Sequence, residues 1–253
     1  LASMAFIAGS MFLFIPAFAA NYVIGTSSPG GSYFLIGGGL STAVTRDIKG
    51  VTLSTRTTAG STTNMRMLGQ KDSGLDLGLA NLGAVYNAVT ATGKFKGKKP
   101  VKNVRALMAL TISPLHWVAL AKDNIKSFSD LKGKRVSLAK AGSGTAANAD
   151  VVLRAVGVRK QIKAQYLGFS EAGNALRDGN VDAFAVSSAV PVPVVTAMAA
   201  TRKIRLIPLN PTELKKLGFK GELGQVQILP SGNKLIAAVG LGESNEISPT
   251  RLR

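Results

Sequence analysis

The sequence predicts a two-lobed α/β protein, each lobe a mostly parallel sheet flanked by helices, with a cleft between the lobes. Three observations carry that prediction. A unit of strand, small-residue loop and helix recurs along the chain, and a junction near Ser113-Pro114 divides these units into two sets. The composition fits as well: 253 residues with 28 glycines and a 46% hydrophobic share are enough for two packed α/β cores and argue against disorder.

Residues 1–20 stand outside the pattern. They include no charged side chain, Pro16 interrupts the apolar run, and Ala17-Phe18-Ala19 has the small-x-small form that signal peptidase reads. We read a cleaved export signal and expect a periplasmic protein. The first lobe, 21–112, opens with a strand over 22–25, a turn-rich loop over 26–32 containing Pro29-Gly30-Gly31, and a helix over 33–47. A strand over 51–56 alternates in polarity, Thr57-Thr58-Ala59-Gly60-Ser61 forms the next loop, and 62–69 reads as a short helix. An apolar-rich strand over 75–79 leads through Ala80-Asn81-Leu82-Gly83 into a third helix that ends near Thr92. Lys94, Lys96, Lys98, Lys99 and Lys102 around Pro100 mark 93–103 as an exposed loop, and a strand-like run follows over 104–110.

The second lobe, 113–207, begins with a strand over 117–121 and a helical turn over 125–131 with Ser127 as its N-cap. A strand over 135–138 feeds a loop over 139–144 and a helix over 145–156 that Gly157 stops. Strands over 165–167 and 183–186 alternate with helices over 170–177 and 194–200. Residues 208–253 are read as a return toward the first lobe. Closure about hinges near 110–117 and 207–210 is expected of such a molecule.

Composition excludes several chemistries. Without cysteine there is no thiolate nucleophile, disulfide, iron–sulfur cluster or Cys-bound zinc. The single histidine, His116, has no second His with which to form a metal site and no nearby carboxylate in sequence to orient it, so it reads as a partly buried hinge residue. Asp178 and Asp182 flank a Gly-Asn-Val turn and read as capping and turn residues. No metal site and no catalytic residue is assigned. The formal charge of +18 comes from basic residues spread over many elements without interleaved aromatics, which argues against a nucleic-acid partner and for a general anion-attracting field.

Four loops, at 28–32, 59–64, 80–83 and 142–145, share one design: a strand end, small hydroxyl or glycine residues, then a helix start. A first helical turn leaves N–H groups unpaired and carries partial positive charge, so it accepts an anion. Ser61 and Asn64, at i and i+3, can face one point. The alternative is an enzyme, because Gly142-Ser143-Gly144-Thr145-Ala146-Ala147 fits a G-x-G-x-x-A dinucleotide fingerprint. The fingerprint requires an acid at the tip of the next strand about 20 residues on, and the nearest candidate, Glu171, comes later and opens a helix.

At the same loops the chain resembles the TAXI family of TRAP transporter solute-binding proteins, which have the type II periplasmic binding protein fold. Gly30-Gly31-Ser32-Tyr33 matches a G-G-x-Y turn, and Thr58-Ala59-Gly60-Ser61-Thr62-Thr63-Asn64 matches T-x-G-S-x-x-N with one glycine replaced by Ala59. A D-L-K-G-K-R-V run at 130–136, G-S-G-T at 142–145 and L-x-D-G-x-x-D-A-F at 176–184 follow in order, so the similarity covers 21–217. The resemblance implies capture of a small organic anion, such as glutamate, 2-oxoglutarate or a related carboxylate, and delivery to TRAP membrane subunits, with no cofactor. A monomer is expected. By matched position it implies ligand contacts at Gly31, Tyr33, Ser61, Asn64, Asn81, Ser143, Gly144 and Thr145. Two departures stand out. The family usually has Asp where Asn81 lies. Past Gly218 the match fades, and related proteins continue for several elements beyond the position of Arg253, so the C-terminal part is read as incomplete.

Overall fold

The structure is a computed structural model, and it describes residues 20–218, 226–231 and 234–239. The expected export signal lies outside the described residues except for Ala20, which opens the first strand. In the first lobe β1 (Ala20–Gly25) is the centre of a three-stranded sheet, between β2 (Val51–Arg56) and β3 (Leu77–Gly78), and both pairings are parallel. Parallel neighbours need crossovers. These are α1 (Ser32–Asp47) and α2 (Ser61–Leu68), and α3 (Leu82–Val89) follows β3. One core forms where Ile24, Leu53 and Leu79 meet Ile36, Leu40 and Val44 of α1. Another joins Met65, Ala84, Ala88, Phe95 and Val101.

Phe95 revises the reading of 93–103 as a plain exposed loop. The segment starts with a 3-10 turn, Gly93–Phe95, whose phenyl ring is buried under the Arg66 guanidinium at 5.7 Å, while the lysines around it stay exposed. Apolar anchors at Phe95 and Val101 hold the loop down. The strand-like run at 104–110 is not a strand. A strand exists only as one member of a hydrogen-bonded pair, and none of the described strands pairs with it, so Leu107 and Met108 are 73% and 69% exposed.

The second sheet has the order β6-β5-β7-β4-β8, with β4 (Leu115–Leu120), β5 (Arg135–Ser137), β6 (Lys163–Gln165), β7 (Ala183–Ser187) and β8 (Ile204–Leu206). This sheet is mixed, with one strand reversed among four that share a direction. β5 runs parallel to β6 and β7, but β4 is antiparallel to both of its neighbours, so it alone runs against the other strands. The reason is geometric. The other strands point their carboxyl ends at the first lobe, whereas β4 enters from that lobe without a helical crossover and must run away from it. The short β8 was not expected from sequence.

Both faces of this sheet are covered, which explains the unbroken apolar run Trp117-Val118-Ala119-Leu120. Alternation sends Trp117 and Ala119 to one core with Phe128, Leu131 and Leu153, and Val118 and Leu120 to another with Phe169, Leu176 and Met198. Trp117 and Phe128 meet edge-on, with ring centroids 5.1 Å apart. α4 (Gly144–Ala155), α5 (Phe169–Arg177) and α6 (Pro193–Ala199) supply the helical layers. Asp182 receives the Arg135 N–H and pairs with its guanidinium, both at 2.7 Å, which ties the start of β5 to the approach to β7. α7 (Pro211–Lys216) follows β8, and β9 (Val226–Ser231) and β10 (Lys234–Val239) form an antiparallel pair.

Candidate functional site

In open α/β sheets the carboxyl ends of the strands deliver the loops that bind ligands. Here β1, β2 and β3 each end in a loop that starts α1, α2 and α3, and β5 and β6 do the same for α4 and α5. Residues from all five helix N-terminal regions meet around one cavity. Ser32 and Tyr33, Gly60 and Ser61, and Asn81 come from the first lobe, and Ser143, Gly144, Thr145 and Phe169 from the second. Ser113 and Ser187 complete the lining where β4 begins and β7 ends, with Ser27 and Ala59 beside them. The cavity is narrow and open at its mouth, and the space between its lining atoms, open solvent included, is about 360 Å³. None of these lining residues is charged.

Local helix chemistry positions the polar groups. Ser143 caps α4 by accepting the Ala146 N–H at 2.9 Å, and Asn81 caps α3 by accepting the Ala84 N–H at 2.8 Å. The Asn81 N–H donates to the Ser61 hydroxyl at 3.1 Å, and the Ser187 N–H donates to the Thr145 hydroxyl at 3.1 Å. First-turn amides of Ser61, Gly144 and Thr145 have no intrahelical acceptor and belong to lining residues. Burial raises the Tyr33 phenol above its ordinary pKa, and the neighbouring Ser113 side chain offsets this in part.

Six of the eight residues expected at the site therefore line one cavity: Tyr33, Ser61, Asn81, Ser143, Gly144 and Thr145. Asn64 does not. It is fully buried, donating through Nδ2 to the carbonyls of Gly25 at 3.0 Å, Thr26 at 2.8 Å and Leu79 at 2.8 Å and accepting from the Thr58 hydroxyl at 2.6 Å. Peptide carbonyls at the ends of β1 and β3 need donors, and Asn64 supplies them. Its proposed contact role becomes a scaffold role, because only Ser61 of the i, i+3 pair faces the cavity. Gly31 is also outside the lining. A Cβ there would stand 2.7 Å from the Phe169 ring, so its work is to let the lobes touch.

The lobes meet through backbone and small residues. Thr63 donates to the Gly142 carbonyl, Ser170 N–H to the Pro29 carbonyl and Val194 N–H to the Gly30 carbonyl. Ser32 donates its N–H to the Ser188 hydroxyl at 2.9 Å and accepts from the Ala189 N–H at 3.1 Å. A Cβ on Gly144 would collide with Asn81 Nδ2 and stand 2.8 Å from Ser61 Oγ. Sequence reasoning did not assign Ser113, Phe169 or Ser187 to the site. The rule that strand ends open on the cleft finds Ser187 once β7 is placed. The same rule finds Phe169, which opens α5 after β6, whereas Ser113 carries no local signal because its proximity comes from how the chain crosses between lobes.

Solved structures share this architecture. The alkanesulfonate-binding protein SsuA from Xanthomonas axonopodis pv. citri, bound to MOPS, is 19% identical with a TM-score of 0.50, over 74% of this chain and 60% of that one. An ancestral arginine-binding protein bound to arginine is 19% identical with a TM-score of 0.51, over 75% and 79%. The substrate-binding protein of an amino acid ABC transporter is 17% identical with a TM-score of 0.50, over 74% and 78%. The chain thus spans 60% of the length of the SsuA protein it matches. The fold is that of the type II periplasmic binding proteins. The NMT1-like family profile matches residues 24–234, most of the chain, and the protein belongs to the NMT1-like family.

Proposed function

We propose that the protein is an extracytoplasmic solute-binding receptor, which captures a small organic anion such as glutamate, 2-oxoglutarate or a similar carboxylate and passes it to a TRAP-type membrane permease. One observation carries the reading: five helix N-terminal regions border a single uncharged cavity between two lobes. Each helix end presents a partial positive charge of roughly half an elementary unit and unpaired N–H donors, which suits an anion held without a counter-ion. Contacts from both lobes let the ligand stabilise the closed arrangement, with 21–112 and 113–207 moving about the crossings at 110–117 and 207–210. The permease recognises that closed form. The TRAP assignment rests on the motifs shared with the TAXI family, and export rests on residues 1–20.

The dinucleotide alternative has less support. Gly144, which would have to admit a pyrophosphate, is covered by Asn81 and Ser61, and the strand after α4 ends at Gln165, an amide where a ribose-binding carboxylate is needed. The exposed lysines of 93–103 are not among the lining residues, so the positive charge acts as a field that concentrates anions and meets the permease. A thermal-shift screen tests the reading. Organic anions should raise the melting temperature of the purified protein, and Ser61→Ala should reduce the effect. Stabilisation by NAD(P) alone would replace the receptor with the enzyme reading.

A further inference from the structure

We infer that the bound solute is an organic oxyanion without an ammonium group, a keto acid or unsubstituted carboxylate in preference to an amino acid. The inference rests on the receptor reading above and concerns the polarity of its hydrogen bonds. A hydroxyl can donate one hydrogen bond and accept two, so its partners in the protein decide which face it offers a ligand. Ser61, Ser143 and Thr145 each accept a backbone N–H, from Asn81, Ala146 and Ser187 respectively. Among the described residues none of these three hydroxyls donates to a protein acceptor. Their hydrogens are therefore available to a solute. Asn81 is oriented in the same sense. Its Oδ1 is held by the Ala84 N–H, which turns the NH₂ end toward Gly144 across the cleft.

Four side chains, two from each lobe, thus present donors, and the first-turn amides of α2 and α4 add more of the same kind. Among the described residues no carboxylate lines the cavity to receive a cation. Ser27 and Ser187 are polarised the other way, donating to the carbonyls of Ser28 and Ser113, and the Ser113 hydroxyl is unpartnered among the described residues, but these neutral oxygens do not offset the burial of an ammonium beside helix N-termini. A carboxylate satisfies these donors at no such cost.

Paired ligands isolate the effect, because pyruvate and alanine, oxaloacetate and aspartate, and 2-oxoglutarate and glutamate differ at the α-carbon only. Isothermal titration of the purified protein should show at least one keto acid binding about 100-fold more tightly than its amino acid, the scale of an uncompensated like-charge contact. Asn81→Asp keeps the α3 cap, since a carboxylate also accepts the Ala84 N–H, and should shift the ratio toward the amino acid by at least about tenfold. An amino acid binding as tightly as its keto partner in the wild-type protein overturns the inference and leaves the receptor reading intact. Absence of binding by any of these acids overturns the receptor reading itself.

Discussion

The backbone carbonyl of Gly142 accepts two hydrogen bonds from Thr63, one from its N–H at 2.9 Å and one from its hydroxyl at 3.2 Å. Loop and helix belong to different lobes, so this contact exists only when the lobes meet. Gly142 is suited to it twice over: its φ is +84°, and a Cβ there would stand 2.5 Å from the Thr63 hydroxyl. Thr63→Val keeps the N–H bond and removes the hydroxyl one. Ligand affinity should fall about fivefold, the worth of one ordinary hydrogen bond, as read by titration calorimetry with the best anion found.

Gly144→Ala tests closure more severely. The added methyl collides with Asn81 and crowds Ser61 without touching either lobe's core. Affinity should fall roughly 100-fold, on the scale of an overpacked contact, while the urea midpoint of the ligand-free protein changes little. A matching loss of stability without ligand would show that the contact holds the fold and not the closed state.

Asn64→Ala should behave in the opposite way. It removes the two amide hydrogens shared among three buried carbonyls, of which Gly25 keeps the Leu79 N–H and Thr26 the Thr58 hydroxyl while that of Leu79 loses its donor, so unfolding free energy should drop by about 2 kcal/mol in urea titration. Protein that remains folded should lose less affinity than Ser61→Ala, because Asn64 is not part of the lining.

Burial of His116 on β4 lowers its imidazole pKa below the ordinary 6.5, and backbone contacts at Val186 and Pro114 offset this in part. With the folded value depressed, both states are neutral well above the ordinary value, and the unfolded chain takes up the proton first as pH falls. Stability is therefore present above the ordinary value and is lost as pH drops toward the folded one. Melting temperature should fall as pH drops below the ordinary imidazole value of 6.5, and His116→Gln should flatten that slope. Asp182 acts with the same sign further down the scale, since its hydrogen bond with Arg135 holds the carboxyl below its usual range and acidification through that range removes the stabilisation.

What was legible in the sequence was local. The strand Val51–Arg56 shows its alternation, α4 shows its Gly157 stop, and small residues at strand ends mark the loops that reach the cleft. Nonlocal facts were hidden. The run at 104–110 has strand composition but no partner among the described strands, β4 is reversed because of where the chain enters the lobe, and Phe95 lies under a lysine-rich segment that looks wholly solvated. Asn64 illustrates the limit at the site, since its spacing from Ser61 suggests a shared target and only the position of three distant carbonyls shows its scaffold role.

A crystal structure of the protein with its bound organic anion tests the central claim most directly. The account predicts carboxylate oxygens at about 2.6–3.2 Å from the hydroxyls of Ser61, Ser143 and Thr145 and from the first-turn amides of α2 and α4, with both lobes in contact with the solute. An anion bound elsewhere, or an ammonium group set against these donors, would contradict it.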